Sequence, residues 1–343
     1  MRAVPDVSFI TVVPRVRDLT AYADTAMSVI RRSDAADLDG VLIFTGSGAV
    51  LDPWILATAA AAGTTRLSPL VAVNPVYQHP FTAARMVASL GLLYQRRIDL
   101  NLITGTAVSD LDALGDRLEH DDRYARLAEY VEIMMGVLGS RRPFSFDGRF
   151  YQVSRLQLTP GLPAHLLPRL FVAGQSPAAR EVADRVGATS IQMLTAGRSD
   201  ADGASAGALN FGLLTRATAA ETERVAAARF PEDPDGAKIT AITMANTDSV
   251  WKQRLFAEAE AGHGAVTVDP AYRLAPFRSG QADGPYLVAD HAGAVDRLLA
   301  LIRAGVRTFV LDTPTDDEDF HNLAQVVRTV RDRLRVDPTE GER

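Results

Sequence analysis

Residues 67–103 read LSPLVAVNPVYQHPFTAARMVASLGLLYQRRIDLNLI. A short apolar run at 67–73 is followed by a helix-period segment at 80–94 and a second short run at 98–103. Continuous apolar strands joined by a helix predict parallel pairing, with both faces of the sheet covered. The same unit recurs outward. Upstream, strands at 7–13 and 40–44 alternate with helices at 19–31 and 53–62. Downstream, 123–138 reads as a helix and 143–153 as a hairpin turning at Asp147-Gly148. Strands then follow at 169–172, 189–194, 238–245 and 307–311, with helices at 177–186, 218–230, 289–304 and 320–334. Eight strands outside the hairpin predict a (β/α)8 barrel, with a doubly wound sheet as the alternative. The reading is one domain over 1–343 with long insertions at about 196–214 and 260–286. Insertions of that length are lids over a barrel mouth or plain mobile segments.

Composition narrows the function classes. Apolar residues make up 47% and charged residues 23% of the 343 positions, which excludes a disordered chain. Cysteine is absent, removing disulfide scaffolds, thiolate metal sites and cysteine nucleophiles together. Thirty-six basic against 42 acidic side chains leave a net charge of −6, which argues against nucleic acid as a partner. No apolar run approaches the roughly 20 residues of a membrane span, and the N-terminus lacks the h-region of a signal peptide. A soluble cytoplasmic protein is expected.

The chain shows no nucleophile elbow, Walker loop or zinc helix. Its nearest approach to a dinucleotide fingerprint is Gly46-Ser47-Gly48. Histidines 79, 120, 165, 263, 291 and 321 have no metal-ligand spacing. A bound organic cofactor is therefore the natural carrier of difficult chemistry. Three pieces stand at strand or helix ends. Asn101-Leu102-Ile103-Thr104-Gly105-Thr106 offers small polar groups where a barrel strand would meet the mouth, or else an ordinary turn. His120-Asp121-Asp122-Arg123-Tyr124 opens a helix. Asp121 or Asp122 is its expected N-cap, and His120 and Tyr124 share a face. Phe171-Val172-Ala173-Gly174-Gln175-Ser176-Pro177 runs a buried strand into a helix N-terminus, an arrangement that binds anions. Glycine there lets a phosphate approach the backbone.

In this order the pieces resemble the bacterial luciferase-like flavin monooxygenases, and within them the alkanesulfonate monooxygenase type. The resemblance covers about 38–188 and, more weakly, 289–334. It rests on GVLIFTG, the AAR ending at Arg85, LNLITG, HDDRYARLAEYV, FDGRFYQV, AGQSPAAREVAD and AGVRTFVLDTP. It implies a barrel that forms homodimers or homotetramers, uses reduced FMN and O2, and depends on a separate flavin reductase. It places Thr45, Asn101 and Thr104 by the flavin ring, His120 and Tyr124 at the ribityl–phosphate end, and Gly174, Gln175 and Ser176 on the phosphate. The family more often has Gly-Ser where this chain has Gln175-Ser176.

The departures concern substrate. The alkanesulfonate enzymes carry a cysteine after strand two, where this chain has Ser47-Gly48-Ala49-Val50-Leu51. Their Arg-x-His of strand seven falls near Ala241-Ile242-Thr243, and their last-strand tyrosine near Thr313. Arg278 alone matches their mobile-loop arginine, as a substrate or lid residue. A sulfonate needs fixed positive charge. A small-molecule substrate of specialised metabolism, neutral or larger than an alkanesulfonate, is expected instead, through hydroxylation or Baeyer–Villiger insertion. The alternatives are a deazaflavin-dependent hydride-transfer oxidoreductase on the same barrel and a non-catalytic flavin-binding protein.

Overall fold

The computed structural model describes residues 6–15, 20–46, 49–105, 107–196, 207–262 and 269–336. Eight parallel strands carry the fold: β1 (Ser8–Val12), β2 (Gly40–Ile43), β3 (Ser68–Val73), β4 (Asp99–Leu102), β5 (Leu170–Ala173), β6 (Thr189–Met193), β7 (Ala208–Leu214) and β8 (Thr308–Leu311). With the helices between them they form a (β/α)8 barrel, the class expected from the sequence.

The chain divides into two compact units. One holds residues 13–31 and 40–190. In it β2, β3, β4 and β5 pair in that order, with Leu42 opposite Leu70, Ala72 opposite Asn101, and Asn101 opposite Phe171. Helix Pro80–Tyr94 shows how sequence sets these elements. The His79 ring caps the Phe81 amide at 3.2 Å, Pro80 takes the first turn, and Gln95 closes the helix in the left-handed region at φ 50°. Its face of Ala83, Ala84, Val87, Ala88 and Leu90 is buried, and small side chains let it lie close to its neighbours.

At the N-terminal ends of β4 and β5, Asp99 is 1% exposed. It accepts the Arg169 backbone N–H at 2.9 Å and its guanidinium at 3.0 and 2.7 Å. The expected hairpin forms from Phe144–Asp147 and Gln152–Leu156. Glu129, buried on helix His120–Gly139, fixes it by accepting the backbone N–H groups of Arg149, Phe150 and Tyr151 at 2.8, 2.8 and 3.0 Å. Gly148 is required here, because a Cβ would stand 2.5 Å from Glu129 Oε2.

The other unit holds the described parts of 1–12, 32–39 and 191–343. Here β1 pairs with β8, β8 with β7, and β7 with β6. The end of β7 continues onto Tyr286–Val288, to which Tyr272–Arg273 is added antiparallel. Gly212 leaves room on β7 for the Tyr286 ring.

The seventh strand corrects the sequence reading. Residues 238–245 lie in helix Pro234–Ala245, not in a strand. The β-branched alternation of Ile239, Thr240, Ile242 and Thr243 suited a strand, but Asp233 caps the Asp235 and Gly236 amides at 3.1 and 2.9 Å and Pro234 occupies the first turn. The true strand lies in the stretch read as an insertion. The 260–286 stretch is likewise structured in part: it begins at the end of helix Val250–Ala261 and contains Tyr272–Arg273 and helix Ala275–Arg278. Residues 197–206 and 263–268, with His263, lie outside the described residues, as do Ser47, Gly48 and Thr106. No described helix is long and apolar enough to cross a membrane.

Candidate active site

β4 delivers two of the expected residues. Asn101 is 6% exposed, and its side-chain oxygen has no hydrogen-bond partner. An orphaned buried acceptor costs about 1–3 kcal/mol, so it is a position where a ligand's donor would be repaid with binding. Thr104, 4% exposed, follows the strand. Gly105 then turns the chain at φ 82°, where a Cβ would stand 2.9 Å from Leu111 Cδ2 and 3.3 Å from Asn74 Nδ2. Asn74 thereby joins the cluster from the end of β3. The sequence reading passed over it, although a polar residue directly after the apolar run VAV is the same signal that marked Thr104.

β5 and helix His120–Gly139 meet at the second cluster. Tyr124 is 6% exposed, and its ring centroid is 5.1 Å from that of His120 at a 56° tilt. His120 Nδ1 lies 2.6 Å from Asp121 Oδ1. A Cβ on Gly174 would stand 2.6 Å from the Tyr124 hydroxyl and 2.8 Å from Ala179 Cβ, so only glycine fits. Helix Pro177–Val186 starts beside it. Ser176 is its N-cap, with Oγ accepting the Ala179 N–H at 3.2 Å; the Ser176 hydroxyl is thus already engaged as an acceptor. Pro177 has no N–H, which leaves Ala178 as the first-turn amide without an intrahelical acceptor. Gln175 is half-buried before the cap.

The helix cap expected at Asp121 or Asp122 is elsewhere. The N-cap is Glu119, without a side-chain cap hydrogen bond. Asp122 instead forms a bidentate pair with Arg149 of the hairpin at 2.6 and 2.8 Å, whose hydrogen bonds hold its carboxyl below the usual range. Asp121 and Asp122 still put two negative charges in the first turn.

Thr45, half-buried after β2, lines a cleft of about 250 Å³ with Leu51, Trp54, Asn74, Tyr77 and Gln78. Trp54, Tyr77 and Gln78 were not legible as site residues, because nothing in their local sequence distinguishes them from core or loop positions. Arg278 belongs to the other unit. Its neighbour Phe277 is buried, and the Arg278 guanidinium faces Glu260 at 3.8 Å. Ile242, near which the family's Arg-x-His was aligned, is 72% exposed on a helix and not on a strand. Thr313, aligned with the family's tyrosine, follows the last strand, and its hydroxyl donates to the Val12 carbonyl at 2.7 Å. Among the described residues no cluster of metal ligands occurs.

A glycine cradle at a helix N-terminus, a buried tyrosine beside it and an orphaned amide oxygen at a strand end make up the candidate site; these are groups that a phosphate-bearing organic cofactor would need. The sequence matches the luciferase-like monooxygenase family over residues 7–308, and the chain belongs to that family of flavin-dependent oxygenases. It is 30% identical over 314 residues to BtrO of Niallia circulans, a 4-(gamma-L-glutamylamino)butanoyl-[BtrI acyl-carrier protein] monooxygenase, covering 89% of this chain and 91% of that protein. In structure it resembles EDTA monooxygenase (EmoA) from Chelativorans sp. BNC1, at TM-score 0.66 and 18% identity over 96% of this chain and 94% of the other. It also resembles the oxygenating constituent of 3,6-diketocamphane monooxygenase from Pseudomonas putida, which holds FMN, at TM-score 0.65 and 16% identity over 96% and 97%. These likenesses do not single out the alkanesulfonate type expected within the family.

Proposed function

We infer that this chain is the oxygenase component of a two-component system. It takes reduced FMN from a separate flavin reductase and transfers one atom of O2 to an organic substrate. The observation that carries the reading is the close approach of Gly174 to Tyr124 at the start of helix Pro177–Val186. A phosphate there would meet backbone N–H groups with no Cβ in the way. In this assignment Gly174, Gln175 and Ser176 hold the phosphate, with Ser176 still free to donate its hydroxyl proton. His120 and Tyr124 lie along the ribityl–phosphate end. Asn101, Thr104 and Thr45 border the ring, where the orphaned Asn101 oxygen would accept a ring N–H. Bound and reduced, the flavin supplies the electrons with which O2 is divided between product and water. The chain's own task is to orient it and exclude water.

The substrate is assigned as a neutral organic molecule of specialised metabolism. The BtrO likeness supports trying an acyl chain carried on a carrier protein first. Arg278 is kept as the substrate or lid residue, and a cytoplasmic homodimer or homotetramer as the working assembly. The test is a reductase-driven reaction under isotopically heavy O2 with carrier-bound acyl chains, read by intact-protein mass. One heavy oxygen atom added, dependent on FMN and reductase, is expected. Binding of reduced FMN without any O2-derived atom in product would favour hydride transfer or a non-catalytic flavin protein.

A further inference from the structure

The cleft beside Thr45 has a chemistry of its own. Ala49, Leu51, Trp54 and Ala72 supply apolar walls, and Thr45, Asn74, Tyr77 and Gln78 supply neutral polar groups. The one ionisable carboxylate in its described lining, Asp52, is turned to its own helix: Oδ1 accepts the Trp54 and Ile55 amides at 2.9 and 3.3 Å, where the helix N-terminus offsets its charge. No cationic side chain lines the cleft among the described residues. An anion placed there would meet no counter-charge among the described lining residues.

The polar groups also have a direction. Asn74, 3% exposed, uses its Oδ1 to accept the Val76 N–H at 3.1 Å. What Asn74 can offer a ligand is therefore its Nδ2 donor pair, which calls for a carbonyl oxygen. Gln78 brings both a donor and an acceptor, enough to meet an amide N–H beside that carbonyl. Gln78 also lies beside the fully buried Tyr130 hydroxyl.

We propose that this cleft is a subsite for an uncharged, amide-bearing arm of the substrate, with Asn74 and Gln78 reading the amide and Leu51 and Trp54 holding the adjoining carbons. Its role as a substrate subsite rests on the oxygenase reading above, whereas its ligand class rests on the lining alone.

The test is calorimetric titration of the full chain, with and without reduced FMN under anaerobic conditions. The probes are N-ethylbutanamide, hexanoate and hexylammonium, which are matched in length. The neutral amide should bind, with both ions weaker by about tenfold or more, as expected when a buried polar lining is left unpaired. Leu51→Trp, which fills the cleft, should weaken the amide by about tenfold while reduced-FMN affinity stays within about twofold. Gln78→Glu, nearly isosteric, should weaken it similarly without disturbing the fold. Equal binding of either ion, unchanged amide binding in Leu51→Trp, or parallel loss of reduced FMN and amide in that variant would overturn the assignment. A wild-type chain that binds the amide but not reduced FMN would overturn the proposed function and leave the ligand class of the cleft intact.

Discussion

Gly174 and Tyr124 are fitted to each other: a Cβ at position 174 would stand 2.6 Å from the Tyr124 hydroxyl oxygen. Gly174→Ala must therefore displace the tyrosine, the start of helix Pro177–Val186, or both. Overpacking of this kind costs about 1–3 kcal/mol. Chemical denaturation should show that loss. Removing the hydroxyl in Gly174→Ala/Tyr124→Phe should restore only part of it, since Ala179 Cβ also lies 2.8 Å from the added carbon.

Asn101 separates stability from function. Its buried oxygen is unpartnered, so Asn101→Leu removes an unsatisfied group from the flavin-free chain. Thermal unfolding without flavin should be unchanged or shifted upward. Affinity for reduced FMN should fall by about tenfold, the worth of one well-placed hydrogen bond in a dry site. Lower thermal stability with unchanged affinity would make Asn101 a purely structural residue.

Glu129 holds the hairpin through three backbone N–H groups. Glu129→Ala should lower unfolding free energy by about 2–3 kcal/mol, because three charge-assisted bonds are lost together. Glu129→Gln, which keeps the acceptor oxygen, should recover part of this in urea titrations.

Asp319 predicts a pH dependence. It is 8% exposed and accepts Arg216 Nη2 at 2.9 Å, Arg229 Nη1 at 2.7 Å, and the Thr315 N–H and hydroxyl at 3.0 and 2.7 Å. Burial alone would raise its pKa, but hydrogen bonds from Arg229 and Thr315 and the charge of Arg229 hold it below the ordinary value. A carboxyl harder to protonate folded than unfolded contributes stability above the ordinary range, near pH 4, and loses it as pH falls through the folded value. Asp319→Asn leaves Arg216, 2% exposed, with only the largely exposed Glu318 carboxylate at 3.4 Å and should cost about 3 kcal/mol at pH 7. The gap between wild type and variant should narrow as pH is lowered below about 4. A gap independent of pH would contradict this account.

The barrel was legible because its strands are short apolar runs, such as Leu42 and Val71, and its helices carry local signals, such as Pro80 and Pro177 in first turns. Reading failed where two local signals conflicted. Ile239-Thr240 alternates like a strand, yet Asp233 and Pro234 start a helix there. Ala208–Leu214 is a true strand, hidden behind the Gly- and Ala-rich stretch before it. Gly174 and Ser176, assigned here to the phosphate, were visible because glycine and a helix cap mark them in sequence. Asn74, Trp54 and Gln78 were not, since only the folded chain brings two separate segments, 45–54 and 72–78, around one cleft.

The proposed phosphate site is built on Gly174. The most direct measurement is anaerobic titration of the wild type and Gly174→Ala with reduced FMN and, in parallel, reduced riboflavin, which lacks the phosphate. Reduced FMN should bind the wild type about tenfold or more tightly than riboflavin, and the substitution should remove most of that difference. Equal affinity for the two flavins, or a preference for FMN that survives Gly174→Ala, would contradict the account.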